Sequence, residues 1–123
     1  MTNGRGLPAR LEQLTITRIT QYLDPACVIL FGSRQRDEAA RHSDLDLLVI
    51  ANSEQSPGER RAQVARLFAH WPIRIDGLWL TPAEVEHRVG VGNPFLISVL
   101  RGGRVICGDA ALVATLLDDG HPA

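Results

Sequence analysis

Cys27-Val28-Ile29-Leu30-Phe31-Gly32-Ser33 and Ser43-Asp44-Leu45-Asp46-Leu47-Leu48-Val49, separated by nine residues, decide the fold of this chain. The first stretch is a continuous apolar run stopped sharply by Gly-Ser, the pattern of a strand buried on both faces. The second alternates and then turns apolar as far as Ile50, which predicts a strand from Asp44 to Ile50. Residues two apart on a strand share a face and lie about 6.6 Å apart. Asp44 and Asp46 therefore project together, while Leu45 and Leu47 anchor the opposite face. Two neighbouring carboxylates repel and need an offsetting charge. Mg²⁺ supplies it, favouring carboxylate oxygens and completing its shell with water and substrate phosphates.

The Gly32-Ser33 turn adds the complementary half. A strand ending in Gly-Ser offers backbone N–H groups and a hydroxyl at one point, which suits a phosphate. Arg34 and Arg36 follow and bring further positive charge. If the two strands are sheet neighbours, a phosphate cradle stands beside a metal site.

Outward from this centre, Leu11, Leu14, Ile16, Ile19 and Leu23 predict a helix over about 8–23, closed by Asp24-Pro25. The charged stretch after Ser33 predicts a short helix in its first part. Asn52 to Gly58 reads as a loop and Glu59 to His70 as an amphipathic helix, with Val64, Leu67 and Phe68 inward. Ile73 to Leu80 is a third strand, its residues 73, 75, 77 and 79 on one face and 74, 76, 78 and 80 on the other.

Asp76 is the only acid in that strand. Isolated in an apolar setting it would be costly; beside Asp44 and Asp46 it shares the metal and helps deprotonate an attacking hydroxyl, as in two-metal phosphoryl transfer. On an exposed edge strand it would need no such explanation.

Thr81-Pro82-Ala83-Glu84 carries a capping box and starts a helix to about Val89. After a break at Gly90–Asn93, a helix over Pro94–Leu100, an edge strand over Arg104–Cys107 and a final helix from Asp109 to Leu117 complete the chain. Strands alternating with helices give an α/β or α+β class with a small sheet. At 123 residues the chain reads as a single domain spanning 1–123, its ends (1–7 and 119–123) loose.

Composition narrows the function. A net charge of -1 argues against a broad nucleic-acid surface. All 13 basic residues are arginine, which excludes a Schiff-base lysine and a P-loop lysine. Cys27 and Cys107 lack zinc-ligand spacing and read as small core residues in a reducing compartment. His42, His70, His87 and His121 are scattered, Trp71 and Trp79 read as packing residues, and Phe95, Leu96, Val99 and Leu100 as core or interface. With no apolar leader and no bilayer-length run, a cytoplasmic chain without membrane contact is expected.

The pattern Gly32-Ser33 … Ser43-Asp44-Leu45-Asp46-Leu47 resembles the signature of the DNA polymerase beta-type nucleotidyltransferase superfamily, and most of all its minimal nucleotidyltransferase branch. Ile75-Asp76-Gly77-Leu78-Trp79-Leu80-Thr81-Pro82 is similar to that branch's third-carboxylate strand and following helix. The resemblance spans roughly residues 10–110. It implies a small mixed β-sheet flanked by helices, and Mg²⁺-dependent transfer of a nucleoside monophosphate, AMP from ATP, to an acceptor. Asp44, Asp46 and Asp76 would then be metal ligands and catalytic acids, and Gly32, Ser33, Arg34, Arg36 and Ser43 would hold the nucleotide.

Short members of the branch are often antitoxins paired with a HEPN-type ribonuclease toxin, which some of them modify by adding AMP; this implies a hetero-oligomeric partner alongside any homo-oligomer. Two alternatives stand beside this: an antitoxin that neutralises its partner by contact alone, and a subunit of an aminoglycoside-type enzyme. The chain departs from the branch at Asp37, where glycine is usual, and at Arg41-His42, where Pro-Asp is common.

Overall fold

The computed structural model describes residues 3–32 and 45–119. The element order is α1 (Asn3–Leu23), β1 (Cys27–Phe31), β2 (Leu45–Ile50), α2 (Pro57–Leu67), β3 (Ile75–Leu80), α3 (Pro82–Gly90), α4 (Pro94–Gly102), β4 (Arg104–Gly108) and α5 (Ala110–Asp119). The four strands form one mixed sheet in the order β3-β2-β1-β4. β1 runs antiparallel to both β2 and β4, while β2 and β3 are parallel. The α/β class and the small mixed sheet are as the sequence reading expects. The short helix expected after Ser33 lies outside the described residues.

β1 is apolar throughout because it is central, and four of its five residues are buried. Its two faces feed two cores. Cys27 and Ile29 join Leu48, Ile50 and Leu80 beneath α3, α4 and α5. Val28 and Leu30 join Leu45, Leu47, Val49 and Trp79 beneath α1 and α2. Each fully buried aliphatic side chain contributes roughly 1.5–3 kcal/mol of transfer free energy. The thiols follow the same logic: both are unpaired, and burial pushes Cys27 up to about 11, leaving it protonated at neutral pH.

Two helices differ from their predicted form. α1 begins earlier than residue 8, and its inward stripe is Thr15, Ile19 and Leu23 instead of a stripe through Leu14, which is exposed. Spacing of four keeps residues on one face; Leu14 falls off it. Thr15 is tolerated inside because its hydroxyl donates to the Leu11 carbonyl (2.7 Å) and accepts from Trp71 Nε1 (3.1 Å).

α2 starts at Pro57, not Glu59, because Ser56-Pro57-Gly58-Glu59 is a second capping box. Ser56 Oγ accepts from the Glu59 N–H and Glu59 returns a bond to the Ser56 N–H. This is the same Ser/Thr-Pro-x-Glu grammar that starts α3 at Thr81. α2 stops at Leu67, and His70 takes a positive φ of 63° in the connection to β3.

A buried cation joins the layers. Arg60 of α2 is only 3% exposed. Its Nη1 donates to the Trp79 carbonyl (3.0 Å), and its two terminal nitrogens meet the Glu84 carboxylate at 2.7 Å each. α2 and α3 cover opposite faces of the sheet, so this fork closes around the end of the β3 edge.

Candidate active site

Strand register brings the acids together. Asp46 pairs with Phe31 across the antiparallel β1–β2 ladder and with Asp76 across the parallel β2–β3 ladder. Phe31, Asp46 and Asp76 thus form one rank across three strands, on the face covered by α3–α5. Neighbouring strands lie about 4.8 Å apart, so the two carboxylates stand one strand spacing from each other. The next rank inward, Ile29, Leu48 and Leu78, belongs to the apolar core. The acids therefore occupy the outermost rank of this face, one residue in from the N-terminal ends of β2 and β3.

Gly32 closes the rank from above. Its φ of +84° lies in the left-handed region that glycine tolerates best, and a Cβ there would collide with the Asp46 carboxylate. The missing side chain lets the turn backbone come down onto Asp46. We expect Gly32→Ala to lose about 1–2 kcal/mol from backbone strain alone. Displacing Asp46 should also lower any transfer activity about tenfold or more. Urea melts and initial rates on the same preparation check both parts.

Asp76 is exposed, with its side chain 45% accessible, so it carries no burial penalty. It sits on the edge strand β3, and Arg74 Nε lies 3.4 Å from its Oδ1. Arg74 immediately precedes β3, and its guanidinium partly offsets the carboxylate charge.

The rank opens into a cleft of about 540 Å³ lined by Phe31, Asp46, Arg61, Asp76, Leu78 and Phe95. Phe95, expected to be core or interface, is 53% exposed and meets Phe31 edge-on at 5.7 Å between ring centres. It stands at the start of α4, where the Asn93 cap and Pro94 turn it outward, while Leu96, Val99 and Leu100 of the same helix are buried as expected. Arg61 was not singled out from the sequence. No local pattern marks it, because it reaches the cleft only through the packing of α2 on β3. Ser33, Arg34, Arg36, Ser43 and Asp44 lie outside the described residues. Of the residues expected at the site, the structure brings Gly32, Asp46 and Asp76 together.

Residues 15–91 match the nucleotidyltransferase domain family. The chain belongs to that family. The match runs from within α1 to the end of α3 and so contains the whole acid rank. A provisionally named protein adenylyltransferase of Methanocaldococcus jannaschii is 35% identical over 86 residues. The alignment takes in 68% of this chain and 58% of that protein, so this nucleotidyltransferase chain spans somewhat over half of the relative's length.

Two solved structures share the fold at 16% identity. One is a chain of a toxin–antitoxin crystal structure with AMP-PNP, with a TM-score of 0.63, covering 89% of this chain and 82% of that one. The other is a chain of a mutant of the toxin–antitoxin pair MntA–HpeT, with a TM-score of 0.59, covering 89% and 81%. The likeness takes in more of the chain than the family match does. No helix among the described residues is long and apolar enough to cross a membrane.

Proposed function

We propose that this single-domain chain is a nucleotidyltransferase that moves AMP from ATP onto a hydroxyl of a partner protein, and that the partner is the toxin of a toxin–antitoxin pair. The observation that carries this reading is the rank of Asp46 and Asp76 beneath the Gly32 turn, inside a nucleotidyltransferase domain. The name of the M. jannaschii relative supports the choice of a protein acceptor. The shared fold with toxin–antitoxin chains, one of them crystallised with AMP-PNP, supports the partner and the adenine nucleotide. The resemblance read from the sequence adds a HEPN-type ribonuclease as the kind of toxin.

The donor set fits a hard divalent cation: two carboxylates in register, with Asp44 two residues before Asp46 as the third. Asp44, Asp46 and Asp76 would hold Mg²⁺. When bound, the ion neutralises charge on the phosphates and makes an attacking hydroxyl more acidic. The Gly32-Ser33 turn, with Arg34, Arg36 and Ser43, would hold the triphosphate by backbone N–H groups, hydroxyls and guanidinium charge.

The acceptor oxygen attacks the α-phosphorus, and the new O–P bond forms as the bond to pyrophosphate breaks. The hydroxyl proton passes to the Asp76 carboxylate or to water. Pyrophosphate leaves, and the acceptor carries AMP.

Transfer of α-³²P from ATP to a co-expressed partner tests the reading directly. Label on the partner that disappears with EDTA is expected. A partner that stays unlabelled with Mg²⁺ present, or label that persists in EDTA, would sink it.

A further inference from the structure

The cleft at the acids does not stop at Asp76. It continues across the open edge of β3, where Val64, Ala65 and Ile75 line both this cleft and a second hollow of about 380 Å³. That hollow runs on to Trp71 and Arg74. α2 lies close over this edge because position 77 is glycine: a Cβ there would approach Val64 Cγ1 to 3.0 Å. Arg61 sits one helical turn before Val64 and Ala65 on the same helix face. It is exposed and has no hydrogen-bond or ion-pair partner among the described residues.

Lateral order across the sheet gives Arg61 a role. From the centre outward come the Gly32 turn on β1, Asp46 on β2, Asp76 on β3, and Arg61 beyond the β3 edge. In-line displacement at phosphorus puts the attacking and leaving oxygens on opposite sides. With the triphosphate on the Gly32 side, as the proposed function has it, the acceptor oxygen enters from the β3 side. There it displaces pyrophosphate from the α-phosphorus and gives up its proton as described above.

We propose that the groove over the β3 edge seats an extended acceptor segment, and that Arg61 selects one carrying a carboxylate close to the reacting hydroxyl. Charge complementarity sets the choice: among the described residues, Arg61 and Arg74 are the guanidinium groups lining the groove, and Arg74 already stands against Asp76. Arg61 is thus a specificity residue on the acceptor side, distinct from the groups that meet the triphosphate.

The inference rests on the proposed function, but its test needs no turnover. Fluorescein-labelled decapeptides with a central serine, threonine or tyrosine, flanked by Asp, Asn or Arg, are titrated with the full chain. Mg²⁺ and α,β-methylene ATP are present, and binding is read by anisotropy. Asp-flanked peptides should bind about tenfold more tightly than Asn-flanked ones. Arg61→Glu should invert the order in favour of Arg-flanked peptides, leaving the affinity for the ATP analogue within twofold of wild type.

Equal binding of Asp- and Asn-flanked peptides, no binding of either, or a preference that survives Arg61→Glu would overturn the proposal. So would an Arg61→Glu chain that loses the ATP analogue, since Arg61 would then serve the triphosphate. Failure of the enzymatic reading shows separately, as absent labelled transfer.

Discussion

Asp46→Asn is expected to reduce AMP transfer at least about 100-fold while the chain stays folded. The side chain occupies the middle of the acid rank, flanked in register by Phe31 and Asp76, and lies against the Gly32 turn. The amide keeps the shape and loses the charge. Charge stabilisation by a metal-holding site is worth several kcal/mol in the transition state, and each 1.4 kcal/mol is a factor of ten in rate. The packing beneath is untouched, because Leu48 and Ile50 fill the ranks inward on the same face.

Circular dichroism should therefore overlay with wild type while labelled transfer falls. The same variant separates catalysis from contact: a folded Asp46→Asn chain that no longer transfers AMP but still neutralises its partner would show that binding alone suffices for protection. Transfer at the wild-type rate would remove Asp46 from the chemistry.

Glu84→Gln should destabilise the fold by about 2–3 kcal/mol. Arg60 is buried and its fork closes on the Glu84 carboxylate. Removing one partner of such a pair leaves an uncompensated charge inside, typically costing 3–5 kcal/mol when both are fully buried. Glu84 is 31% exposed, which places the effect below that range. Glutamine keeps an oxygen for the Thr81 cap, so the loss reports the ion pair and not the start of α3.

The pair also sets an acid limit. The Arg60 bonds, helped by the Thr81 N–H, hold Glu84 down at about 2, against an ordinary 4.5. A carboxylate lowered on folding contributes its full stability above its unfolded value and loses it as pH falls toward the folded one. Wild type should therefore lose stability between about pH 4.5 and 2. Glu84→Gln should lack that component, so that the two urea-melt profiles converge at low pH. Profiles that stay parallel through this window would show that the ion pair does not carry it.

Local signals were enough for most elements. Cys27–Phe31 is apolar without interruption because the strand is central, and a strand buried on both faces shows that directly in its residues. Thr81-Pro82-Ala83-Glu84 starts a helix by chemistry contained in four residues. The same grammar at Ser56 was legible too, yet the Asn52–Gly58 composition hid it behind a loop reading. Period-two alternation put Asp76 on the Leu78 and Leu80 face, and the register confirms that face.

α1 is less legible. Its apolar residues are too spread to fix one stripe, and the buried Thr15 is recognisable only once Trp71 arrives 56 residues later to share its hydroxyl.

The sequence by itself determined the acids, the turn and the strands that carry them, because alternation and capping are properties of neighbouring residues. Only the tertiary structure decided that β2 and β3 lie parallel with Asp46 against Asp76, that Gly32 is bare because Asp46 lies against it, and that Phe95 and Arg61 face the cleft. Each depends on the pairing of strands or the seating of a helix on an edge. Those are contacts between residues far apart in the chain, and local pattern does not encode them.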